Sequence, residues 1–158
     1  MKIQEKKIQL DRLLKLINSA IDYRIKLASS GEMSDAMSEV MVPGYEDIRS
    51  ASYLLHQKSQ LSKLKYWWKC LQEEPRETRD RGFQTFITSQ TGIAVDIFDA
   101  FEKKIERIIH SGRVKSDDEY REVVEKLDAL IQDESGDADL ICILNGLVTS
   151  FEKKIPGI

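Results

Sequence analysis

Cysteine, histidine and proline are scarce in this chain, and no apolar run is long enough to cross a membrane. With two cysteines and three prolines among 158 residues, there is neither a disulfide framework nor a supply of helix breakers. Cys70 and Cys142 both sit in apolar helical patterns and read as inert, buried free thiols. The two histidines, His56 and His110, leave little for proton transfer or metal ligation. A glycine-rich phosphate loop, a Gly-x-Ser-x-Gly elbow and a Glu-x-x-His pair are all missing, so no catalytic residue, metal or cofactor is indicated. The amino end, Met1 to Lys7, carries charge where a signal peptide needs an apolar core, and the expectation is a soluble cytoplasmic protein.

What is there is helical periodicity. At 41% hydrophobic and 32% charged, the composition is that of a globular protein, and the length suits one domain over 1–158. Leu10, Leu13, Leu14, Ile17, Ala20, Ile21, Ile25 and Ala28 predict a helix near 3–28. Residues 30–44 are acidic and Met-rich, bracketed by Gly31 and Pro43-Gly44, and read as a mobile segment with a turn or two of helix. Apolar spacing predicts a second helix over 45–72, stopped by Pro75, and a third over 78–111. In the third, Phe83, Ile87, Gln90, Ala94, Ile97, Phe101 and Ile108 form one seam, with Gly92 as a weak point.

Ser116-Asp117-Asp118-Glu119 has the spacing of a capping box, opening a helix whose apolar face is Tyr120, Val123, Val124, Leu127, Leu130 and Ile131. A turn over 133–137 leads to a last helix ending at Pro156-Gly157, with Gly146 as a close-packing point. Phe-Glu-Lys-Lys-Ile occurs at 101–105 and again at 151–155, which suits the basic end of a helix better than a repeat unit.

The expected fold is therefore all-α: an elongated antiparallel bundle of about five helices with a C-terminal αα-hairpin. A helix over 78–111 would be roughly 50 Å long, against about 40 Å for a compact domain of this size. A homodimer covering that excess, with the polar Gln90 in its seam, is the favoured expectation.

Charge is uneven. Residues 1–30 hold seven Lys/Arg against three Asp/Glu, whereas 113–152 hold four against eleven. Solubility accounts for this; a basic patch for an acidic partner is the sharper reading. The segment 58–69 has four lysines, no acid and three adjacent aromatics, so Lys58, Lys63, Lys65, Tyr66, Trp67 and Lys69 form the candidate interaction surface together with Gln90. Phosphates held by lysines with bases stacked on rings is one use of such a segment. Lysine stems flanking an amphipathic helix, with one tryptophan anchored in the core, is the plainer one. Asp96, Asp99, Glu106 and His110 share a polar stripe, but Lys103 among them argues for ion pairing rather than a metal.

These residues favour a non-enzymatic interaction module that binds a protein partner: an adaptor, antitoxin or immunity-type protein. The alternatives are a nucleic-acid-associated protein using 58–69, and a helical-bundle enzyme or small-ligand binder with a site of scattered polar residues.

Overall fold

A computed structural model describes residues 2–134 and 136–155. Among them there are seven helices and no strand: α1 (Ile3–Ala28), α2 (Asp35–Gln57), α3 (Leu61–Glu77), α4 (Arg81–Thr91), α5 (Ile97–Ser111), α6 (Asp117–Gln132) and α7 (Ala138–Glu152). The all-α class holds, while the count exceeds the expected five because two long helices are each divided. The chain forms two compact units, 1–95 and 96–158.

In unit 1, α1 packs against α2, α3 and α4. Its buried residues, among them Leu13, Leu16, Ile17, Ala20, Ile21 and Tyr23, cover a little over half of the helix circumference, while Lys15, Asp22 and Lys26 keep the other side exposed. A buried face that wide meets more than one neighbouring helix. Leu10, Leu13, Ile17, Ile21 and Leu64 form the core, with Ile48, Leu55, Trp67, Trp68 and Leu71 packed against it.

α2 and α3 replace the expected 45–72 helix. The chain leaves α2 with Ser59 at φ 55, the Ser59 N–H donating to the His56 carbonyl and the Gln60 N–H to Leu55 at 2.9 Å. α3 ends the same way: Arg79 stands at φ 54, and the Asp80 N–H reaches the Pro75 carbonyl at 2.8 Å. Both are Schellman endings, in which a left-handed residue turns the chain back onto its last carbonyls.

The prolines do not break their helices as expected. α2 starts at Ser34, whose hydroxyl accepts the Met37 N–H at 3.2 Å, and continues through Pro43 and Gly44. An interior proline costs about 3 kcal/mol. Packing of Tyr45, Ile48 and Leu55, partly buried residues of α2, on the core of unit 1 offsets that cost. Pro75 lies inside α3 and is buried.

The expected helix over 78–111 is two helices. α4 stops at Gly92, φ 71, and Thr91 takes over the hydrogen bonding: its hydroxyl donates to the Ile87 carbonyl at 2.7 Å and accepts the Ile93 N–H at 3.1 Å. Asp96 then caps α5 by accepting the Asp99 N–H at 3.0 Å. No 34-residue seam exists, so the overhang that motivated a dimer through Gln90 is gone.

In unit 2, Ile105, Ile108, Val114, Val123, Leu127, Leu144 and Leu147 form the core. Tyr120, in the first turn of α6, donates to Glu152 Oε1 at 2.6 Å and stacks on Phe151 at the end of α7. Start meets end, so α6 and α7 run antiparallel as the expected hairpin. Ile131, assigned to the buried face of α6, is 60% exposed. α7 finishes at Glu152, ahead of the expected stop at Pro156-Gly157, which lies outside the described residues, as does Ser135 in the turn. The first Phe-Glu-Lys-Lys-Ile copy falls inside α5 rather than at a helix end.

Candidate interaction surface

The basic aromatic segment straddles the turn between α2 and α3. Lys58 is the exposed C-terminal cap of α2, where a cation meets the negative end of the helix dipole. Lys63 and Lys65 are exposed on α3. At 100° per residue they lie about 160° apart, so they do not make one basic stripe. Lys65 and Lys69 are a turn apart on one side, with Tyr66, 58% exposed, beside them.

Both tryptophans are half-buried, which corrects the assignment of one to the core and the other to an edge. Trp67 and Trp68 pack against the same cluster, and the Trp68 ring stacks on Phe83 at 6.3 Å with planes 20° apart. That face is occupied and offers nothing to a base. Gln90 is exposed in the last turn of α4 and lies in no seam.

On α5, Asp99 Oδ2 is 2.9 Å from Lys103 Nζ. This hydrogen bond is the first cause holding the Lys103 ammonium above its ordinary pKa, with the charge of Asp99 second. Asp96 is engaged as the helix cap. Lys103, Glu106, Arg107 and His110 line an open concavity. Among the described residues no group of three or more His, Cys, Asp or Glu side chains is placed to hold a metal ion. His56 is taken by Asp11, Nε2 to Oδ1 at 2.6 Å, a contact that ties α2 to α1.

Cys70 and Cys142 are free and exposed, not buried. Leu140, Leu144, Leu147, Val148 and Phe151 supply the core stripe of α7. Cys142, two residues from both Leu140 and Leu144, points about 160–200° away from it. Gly146 shares that outer side, with nothing within 4 Å of where a Cβ would stand, so it is not a close-packing point.

The feature that the sequence reading passed over lies on α2. Four of the seven large exposed hydrophobic side chains of unit 1, among its described residues, belong to this helix: Met37 at 53%, Val40 at 74%, Tyr53 at 49% and Leu54 at 50%. Met37, Val40 and Leu54, together with Gly44, Asp47, Ala51 and Lys58, follow steps of three and four on a flank beside the stripe turned to α1, whereas Tyr53 lies on the far flank, about 140° away. The sequence signal was present in Met37 and Val40. It was hidden by treating Pro43-Gly44 as a boundary.

No helix among the described residues is long and apolar enough to cross a membrane. Compared with known proteins, the chain matches no family model, no curated protein and no solved structure.

Proposed function

We propose that this chain is a non-enzymatic interaction module, of the adaptor, antitoxin or immunity kind, that docks a protein partner through the uncovered flank of α2. One observation carries the reading: large apolar side chains are left in water along a continuous helix whose neighbouring stripe, Tyr45, Ile48 and Leu55, packs on the core. Met37 and Val40, one turn apart, make an exposed apolar pair of the kind that marks an interaction surface, and Leu54 extends the flank towards the other end of the helix. A helix face supplies anchors at three- and four-residue spacing, the pattern by which helices enter grooves or pair with other helices.

The nucleic-acid reading rests on Lys65, Lys69 and Tyr66. It is weaker, because one exposed ring rather than three faces a strand and the lysines of the segment diverge. Proteins retained from the native cell by immobilised wild type should be lost with Val40→Asp and kept with Lys65→Glu, while both variants melt as wild type does. Loss with Lys65→Glu alone, together with salt-dependent RNA or DNA binding, would select the nucleic-acid reading instead.

A further inference from the structure

The flank of α2 has the spacing of a helix-pairing seam, with Met37, Val40, Ala51 and Leu54 as its apolar positions and Asp47 and Lys58 as polar ones. Counted from Met37, its residues fall on successive a and d positions of a heptad through Lys58, a length of about 30 Å. We infer that α2 packs antiparallel on α2 of a second copy about a two-fold axis, forming a weak, reversible homodimer; this rests on the interaction reading above and names its partner.

Three features single out a second copy in that orientation. The first is shape. In the antiparallel register that sets Met37 opposite Leu54, Val40 meets Ala51 and Gly44 meets Asp47, so each bulky residue faces a small one or fills an end of the contact. Gly44 is exposed with nothing within 4 Å of its absent Cβ, which leaves room for the opposing Asp47.

The second is charge. The amino end of α2 is acidic, with Asp35 and Glu39 exposed and Glu32 exposed just ahead of the helix, while Lys58 closes the other end. Antiparallel pairing brings each end against the opposite sign and opposes the two helix dipoles. A parallel pair would instead set Lys58 on Lys58, place the two acidic ends together and align the two helix dipoles. The third is symmetry: one patch that carries both charges and both shapes is what an isologous contact requires.

The two Asp47 carboxylates approach each other near the axis, so the contact is self-limiting. A polar residue in a seam commonly trades stability for register. The seam is also short for a permanent interface, which places the dimer in the weak class.

Sedimentation equilibrium of the full chain, from about 1 μM to about 1 mM, measures this directly. Wild type should move from monomer towards dimer. Asp47→Asn should tighten association several-fold, Lys58→Glu should weaken it several-fold, and Val40→Asp should leave monomer throughout, with circular dichroism unchanged because all three positions are exposed. A wild type that stays monomeric at the highest concentration overturns the inference. So does a dimer indifferent to both Val40→Asp and Asp47→Asn, because another face would then be responsible. A monomer that still binds a different protein through Val40 would sink self-association while leaving the interaction reading intact.

Discussion

Tyr23 on α1 donates a 2.6 Å hydrogen bond to Asp80 Oδ2, while the other oxygen of that carboxylate accepts the Gly82 N–H at 3.0 Å and so caps α4. One residue thus starts a helix and anchors it to the centre of the unit. The Tyr23 ring meets Phe83 edge-on at 5.6 Å and Phe86 at 5.3 Å, which completes the contact on the apolar side.

Tyr23→Phe keeps the ring and removes the hydroxyl, and should cost about 1–2 kcal/mol at neutral pH. Burial first, and then the hydrogen bond and charge of Asp80, push the Tyr23 pKa from 10.0 up to about 12. The folded state therefore holds this proton more tightly than the unfolded chain does. Its contribution is fully present below pH 10 and is lost as pH rises from there towards 12. Urea denaturation of wild type and Tyr23→Phe at pH 7 and again above pH 11 should show the difference between them shrinking. A constant difference would mean that the hydroxyl is not held by Asp80.

Ser59 yields a gain rather than a loss. It holds φ 55, a conformation that costs an L-residue about 1–2 kcal/mol and glycine much less. Ser59→Gly should raise stability by about 0.5–1 kcal/mol, less than the full strain because glycine also loosens the unfolded chain. A lower melting temperature would place the end of α2 elsewhere.

That position also explains what the sequence hid. Gly112, in the left-handed region, marked a real helix end, and α1 lies where the periodicity of 3–28 placed it, while Gly92, a weak point in the sequence pattern, is in the structure a second left-handed helix end. The ends of α2 and α3 carried no such mark, because Ser59 and Arg79 occupy the position that glycine usually takes. Apolar periodicity runs on through a turn of this kind, so two helices read as one. The uncovered flank of α2 was hidden for another reason. Spacing shows that a helix carries an apolar stripe, but only packing decides which of two adjacent stripes is covered.

Both thiols should react in the folded protein. Cys70 and Cys142 are exposed, so a thiol reagent under native conditions should label two cysteines per chain at rates near those of the denatured protein. Slow labelling of either one would return it to the interior, where the apolar pattern of its sequence neighbours places it.

Ser116 accepts the Glu119 N–H at 3.2 Å, while Glu119 Oε2 accepts the Lys115 N–H at 2.8 Å, one residue ahead of the usual reciprocal bond of a capping box. Ser116→Ala removes one acceptor at the start of α6 and should cost about 1 kcal/mol. Glu119→Gln preserves an oxygen for the Lys115 N–H but removes a negative charge from the first turn, so a cost of about 0.3–1 kcal/mol is expected. Thermal denaturation that separates the two variants in this order would establish that the serine, not the glutamate, is the main cap.

Leu127 gives the sharpest test of unit 2. It is 6% exposed and packs in the cluster with Val123 from its own helix, Leu144 and Leu147 from α7, and Ile105 and Ile108 from α5. Three helices contribute to this cluster, so a space vacated within it is not closed by shifting one helix alone. Leu127→Ala should therefore cost about 2–5 kcal/mol, the transfer of the lost methyl groups plus the cavity left behind. Ile131→Ala, one turn further along α6 but 60% exposed, should cost less than about 0.5 kcal/mol. Both residues belong to the same apolar run in the sequence, so equal costs in chemical denaturation would mean that α6 presents a different face to the core.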